Sequence, residues 1–143
     1  MKKLAVLLIA AYLAQYAWQG LGVGDRLGFT DPGSGAALSA AFENRQSDLQ
    51  VHAEGKVLRI LSDDNDGSRH QRFILRLDSG QTILVAHNID LAPRIVSLRT
   101  GDSVEFVGEY EWNPEGGVIH WTHRDPGGTH VDGWLKHGER TYQ

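Results

Sequence analysis

The sequence predicts a mainly β domain: a small five-stranded OB-like barrel, preceded by a short helix and an N-terminal signal or anchor segment. Three observations predict it. From residue 50 onward, apolar and polar residues alternate in short runs, the pattern of half-buried strands. Gly, Asp and Asn clusters separate those runs, as tight turns require. The runs also fall in the order three strands, a longer crossover, two strands, which is the order of an OB-type barrel. A β-sandwich or a small roll is the alternative that strand count leaves open.

The chain divides into three parts: residues 1–20 as signal peptide or membrane anchor, 21–49 as linker and short helix, and 50–143 as the OB-like β domain with a C-terminal loop and hairpin. Met1, Lys2 and Lys3 give a positive start, and residues 4–14 are an uninterrupted apolar run. That run is short for a membrane span and suits a signal-peptide core. Export follows as the expectation, to the periplasm or beyond the cell. Cleavage near Ala17 releases the domain, whereas an uncleaved segment reaching about Leu21 anchors it to the inner membrane. Residues 20–35 are rich in Gly and Asp and read as a linker. Ser34 caps a short helix over 36–45, with Leu38, Ala41, Phe42 and Arg45 on one face.

Strands follow in order. The first covers 51–61, with Gly55 as a bulge or bend. Residues 62–68 turn the chain, and Gln71, Phe73, Leu75 and Leu77 alternate through a second strand. Residues 78–80 turn it again into a third strand over 81–87. Pro93 marks 88–100 as a connecting segment with about one helical turn. Gly101 and Asp102 open the fourth strand, 103–112. A turn at 113–117 leads to the fifth, 118–123. A loop over 124–133 and a small hairpin around His137 and Gly138 complete the chain. Phe73, Leu75, Val85, Val104 and Phe106 are the expected core.

Composition narrows the chemistry. The chain has 143 residues and no cysteine, which excludes disulfides, a thiol nucleophile and a thiolate metal site. The formal charge is -4, so the basic footprint of a nucleic-acid binder is missing, and losing Lys2 and Lys3 with a leader makes the chain more acidic still. The run Asp63, Asp64, Asn65, Asp66, Gly67 suggests a calcium loop, but Phe73 stands where EF-hand spacing needs Glu, and a plain turn accounts for it.

Seven histidines are a high load for so small a chain. His87 and Asp90 lie at the end of the third strand. His123 and Asp125 lie at the end of the fifth. Strand ends converge at the mouth of a barrel, so these four form a candidate metal set, suited to a divalent transition ion held by imidazole and carboxylate. A general base near neutral pH is a second use; capping of backbone groups is a third. Strand alternation puts His120 and His123 on opposite faces, which counts against a simple chelate. The candidate binding set is His70, Arg72, Asn88, Arg94, Trp121, His130 and Trp134. Its arginines suit phosphate or carboxylate, or a solvated face in which Arg72 and Arg76 pair with Glu105, Glu109 and Glu111. Its tryptophans, with Trp112 and Tyr110, suit stacking on sugars or bases, or simply the core and rim.

Four longer stretches carry a resemblance. They are 67–73 (Gly67 to Phe73), 87–94 (His87, Asn88, Ile89, Asp90, Leu91, Ala92, Pro93, Arg94), 108–112 and 120–126 (His120, Trp121, Thr122, His123, Arg124, Asp125, Pro126). Together they resemble an uncharacterised domain-of-unknown-function family of small exported bacterial proteins, over roughly Val51 to Gln143. The resemblance implies an exported origin and singles out His70, His87, His120, His123 and His130. It brings no reaction. The reading is therefore an envelope binding module with a rim of His, Asp and Trp, whose partner is a small molecule, a metal ion or an envelope component. The alternative is a metal-dependent hydrolase, of phosphodiesters for instance, built on the His87 set.

Overall fold

The structure, a computed structural model, describes residues 35–143; the predicted leader and the linker up to residue 34 lie outside the described residues. The described chain opens with helix α1, Gly35–Glu43. Leu38 and Ala41 are its buried residues and join the core. Phe42 stacks on Trp112 with ring centroids 6.4 Å apart, and the Trp112 indole donates to the Phe42 carbonyl at 3.0 Å. Arg45 lies 5.4 Å over the same indole, so the predicted helix face is also the docking face.

Seven strands follow: β1 Leu49–Ile60, β2 His70–Arg76, β3 Thr82–Asn88, β4 Ser103–Glu111, β5 Val118–His120, β6 Trp134–His137 and β7 Arg140–Tyr142. The order is β1-β2-β3-β5-β4-β6-β7, and β1 also pairs with β4. Strands β1 to β5 therefore close into a barrel, antiparallel except where β3 meets β5 in parallel. Closure of a five-stranded sheet with this connectivity is the predicted OB-like arrangement. Phe73, Leu75, Val85, Val104 and Phe106 are fully buried in one cluster, as alternation required.

The bulge in β1 falls between Val57 and Arg59 rather than at Gly55. Gly55 has another reason to be glycine. A Cβ there would stand 3.0 Å from the Arg76 carbonyl oxygen and 3.0 Å from the Leu75 Cβ, so the site admits only close backbone approach. The crossover after β3 holds turns and no helix. Gln71 fixes it instead: its side chain donates to the Ile95 carbonyl and accepts from the Ile95 amide, both at 2.9 Å. That buried pairing seats Ile95 in the core.

The fifth strand is shorter than its sequence pattern. Trp121 takes φ 53°, a left-handed conformation that ends β5 at His120. The edge of β4 is then shared. Glu109, Tyr110 and Glu111 pair with β5, while residues Val104 to Val107 pair with β6. Strands β5 and β6 are thus two pieces of one edge, and residues 121–133 form an excursion between them. Gly133 closes that excursion. Its amide donates to the His123 carbonyl at 2.9 Å, and a Cβ on it would meet the Trp121 carbonyl oxygen at 1.9 Å.

Candidate functional site

Two faces of the barrel carry the chemistry. The first is the outer face of β2 and β3. Register places His70 opposite Asn88, Arg72 opposite Ala86 and Ile74 opposite Leu84. All six are half-buried, so the face is a mixed polar and apolar stripe. At its β5 end lies a groove of about 220 Å³ lined by His70, Asn88, Leu91, His120, Trp121 and His123, among others. His70 Nδ1 lies 2.8 Å from the Ser68 carbonyl and His123 Nδ1 lies 2.7 Å from the Arg124 carbonyl. A carbonyl only accepts, so both Nδ1 atoms donate, and each Nε2 is left as an acceptor in the neutral ring. Arg72 donates to the Ser62 carbonyl at 3.0 Å and stays on this face.

The rest of the predicted binding set lies elsewhere. Arg94 pairs with Asp63 in the turn before β2. His130 stacks on one face of Trp121, with centroids 4.0 Å apart and planes 8° from parallel. His123 tilts against Trp121 at 5.3 Å, so the ring already has two imidazole neighbours. Trp134 stands opposite Val107 and meets His52 edge-on at 5.3 Å.

The predicted metal set is not assembled. His87 points into the barrel with its ring fully buried. Its Nε2 donates to the Pro93 carbonyl at 3.0 Å, and its Nδ1 accepts from the Thr122 hydroxyl at 2.8 Å. Both nitrogens are spent. Burial drives its pKa down to about 4, against a partial upward pull from the Pro93 carbonyl, with His123 and His70 adding to the fall. Asp90 accepts from the Arg69 amide at 2.8 Å and from its guanidinium at 2.7 Å, which holds its carboxyl below the usual range. Asp125 caps its own loop. It accepts from the amides of His130, Gly127 and Thr129 and from the Thr129 hydroxyl, and its pKa falls to about 2. His123 is buried beside Trp121, its Nδ1 tied as above. Strand alternation misplaced these residues because it stops at Trp121: Thr122 and His123 are both buried.

The second face is the outer surface of β1, β4, β5 and β6. Glu109 stands opposite Gln50 on one side and His120 on the other. Among the described residues Glu105 accepts from no arginine; its carboxylate meets His52 Nε2 at 2.7 Å. The expected pairing of Arg72 and Arg76 with these glutamates fails because β2 and β4 lie on opposite sides of β1. Glu109 meets His130 Nε2 at 2.5 Å, and His130 Nδ1 donates to the Val131 carbonyl at 2.7 Å. Partial burial pulls the His130 pKa down, but the Val131 carbonyl and the Glu109 carboxylate outweigh it and the net shift is upward. Glu111 is pushed up by burial and by the neighbouring Asp48 carboxyl, with Ser47 opposing. Among the described residues, one atom each from Glu109, Glu111 and His120 lie within 4.8 Å of one another. Neither Glu109 nor Glu111 stood out as a ligand in the sequence. The signal was the alternation of glutamates at 105, 109 and 111, which becomes readable only once the pairing with His120 is known.

The profile of a family described as Protein of unknown function (DUF3465) matches residues 27–143. The chain belongs to that family. The match covers the helix, the whole barrel and the C-terminal hairpin, in agreement with the resemblance in the sequence. No curated protein matches the chain.

Proposed function

We propose that this chain is an exported binding module of the bacterial envelope, and that it holds a hydroxyl-rich envelope glycan along the outer face of β2 and β3. One observation carries the reading: the stripe His70/Asn88, Arg72/Ala86, Ile74/Leu84 runs between two grooves. The second groove, of about 280 Å³, is lined by Leu61, Ile74, Leu84, Asn113 and Gly117, among others. An elongated ligand fits a face open at both ends better than a single pocket does. In barrels of this type the face of strands 2 and 3 is the usual seat for oligonucleotides and oligosaccharides. The charge of -4 disfavours the polyanion and leaves the glycan. Imidazole Nε2 acceptors and the Asn88 amide suit hydroxyl groups, while Ile74, Leu84 and Ala86 suit the apolar face of a sugar ring. The hydrolase reading needs His87, Asp90, His123 and Asp125 around one ion, and the hydrogen bonds those residues make work against it.

Export is tested by the intact mass of protein from the envelope fraction, which should lack about the first 17 to 21 residues. The ligand is tested by titrating that protein with soluble muropeptides and, separately, with a single-stranded oligonucleotide. Amide shifts confined to residues 70–76, 82–88 and 120–123, weakened at least tenfold by Asn88→Ala, are the expected result. No muropeptide shifts at millimolar concentration, or tighter binding of the oligonucleotide, rejects the glycan.

A further inference from the structure

Around Glu109 the second face holds a half-buried ring, His120, with one nitrogen that lacks a hydrogen bond. His120 Nε2 is shut off from solvent and, among the described residues, makes no hydrogen bond. Buried nitrogens are paired in the great majority of cases, so an orphan of this kind asks for a partner. Around it stand two carboxylates. Register sets Glu109 directly across from it, and Glu111 Oε1 lies 3.5 Å away. That separation is long for a hydrogen bond. It matches two ligands of one tetrahedral ion, which stand about 3.3 Å apart when each metal–ligand bond is about 2.05 Å.

We propose that Glu109, Glu111 and His120 bind a divalent transition-metal ion on the outer face of β4 and β5. The ligand set is one imidazole and two carboxylates, with no thiolate in the chain to compete. A nitrogen ligand turns the choice away from calcium and magnesium and toward zinc and its neighbours. Three protein ligands leave a fourth position open to water or to a ligand group. The surroundings supply the support that such sites need. His130 grips Glu109 through one carboxylate oxygen, and His130 is itself fixed by the Val131 carbonyl and the Trp121 stack. Hydrogen-bonded carboxylates of this kind are the usual outer layer of a metal site. All three ligands sit on paired strands rather than on a loop, so their spacing is set by the barrel. His120 also lines the β2–β3 groove, which puts an open coordination position at the groove's rim.

The test uses tag-free full chain stripped with a chelator and titrated with zinc chloride, with calcium chloride as the control. One equivalent of zinc should bind, calcium should not compete, and His120→Ala and Glu111→Gln should each weaken zinc at least tenfold with the circular dichroism spectrum unchanged. Asp90→Asn, at an exposed carboxylate paired with Arg69, should leave zinc affinity as it was. Cobalt substituted for zinc should give the intense visible bands of a tetrahedral site. Absence of zinc binding at millimolar concentration overturns the proposal. So does binding that survives both His120→Ala and Glu111→Gln, or that Asp90→Asn abolishes. Because the probe is the metal alone, failure here leaves the glycan reading standing, and failure of muropeptide binding leaves this site standing.

Discussion

His87 and His130 each have both ring nitrogens engaged, yet their pKa values are moved in opposite directions. His87 faces inward, between a hydroxyl that can donate and a carbonyl that can only accept. That pair of partners is satisfied by the neutral ring alone, and burial drives its pKa down to about 4. His130 faces outward, between a carbonyl and a carboxylate. Two acceptors are satisfied by the doubly protonated ring, and its pKa is raised. Residue type did not decide these roles. What decided them was whether the second partner brought a proton or a negative charge. The inward histidine is spent on holding the crossover and the post-β5 loop together. The outward one leaves Glu109 a second oxygen with which to do something else.

Removal of the inward ring should have the largest effect on stability. His87→Ala leaves the Thr122 hydroxyl and the Pro93 carbonyl without partners and opens a cavity between β3 and the crossover, at a cost of about 3 kcal/mol. Urea denaturation measures it. A cost below about 1 kcal/mol would show that the His87 bridge is not what joins those segments.

The same ring sets a pH dependence. In the unfolded chain it titrates near 6.5, and in the fold at about 4. Between those values the unfolded chain binds a proton that the native state refuses. Stability from this group is therefore complete above pH 6.5 and falls as pH drops toward 4, by about 3 kcal/mol in all. Denaturation midpoints between pH 4 and 7 give the slope, and His87→Gln should flatten it. A slope that His87→Gln leaves unchanged would assign the effect to other groups.

How much of this contrast was legible beforehand follows from the same residues. Alternation over 71–77, 81–87 and 103–112 locates β2, β3 and β4 to within a residue at either end, and counting strands around the crossover gives the barrel, because period-two burial is a local property. Alternation puts Gln71 on β2, whereas Asn88, read as the start of the connecting segment, is the last residue of β3; Gln71's grip on Ile95 was out of reach. That contact depends on where the crossover folds back. The metal set was drawn from strand ends on the assumption that chain ends converge with their side chains unspent. His87, Asp90 and Asp125 each found a nearby backbone group instead, and a residue at φ 53° broke the alternation that His123 was judged by. Glu109, Glu111 and His120 come together across paired strands, so only register, a non-local quantity, could have joined them.

The smallest expected effect bears on the outward half of the comparison. The Glu109–His130 contact is partly exposed, with side chains 16% and 25% accessible, and pairs of this kind contribute about 1 kcal/mol or less. A double-mutant cycle of Glu109→Gln and His130→Gln, run in chelator-treated buffer at pH 6, should therefore return a coupling of about 0.5–1 kcal/mol. Single-mutant costs alone would not show this. His130→Gln also disturbs the Trp121 stack, and only the cycle cancels that shared loss. The value discriminates. A coupling near 3 kcal/mol would mean that the outward pair holds the 121–133 excursion in place as firmly as His87 holds it from within, and the division between a structural inside and a spare outside would fail. A coupling of 0.5–1 kcal/mol would mean that the excursion is held by Asp125, Gly133 and the Thr122–His87 bond, and that the Glu109 carboxylate is positioned at little cost to the fold.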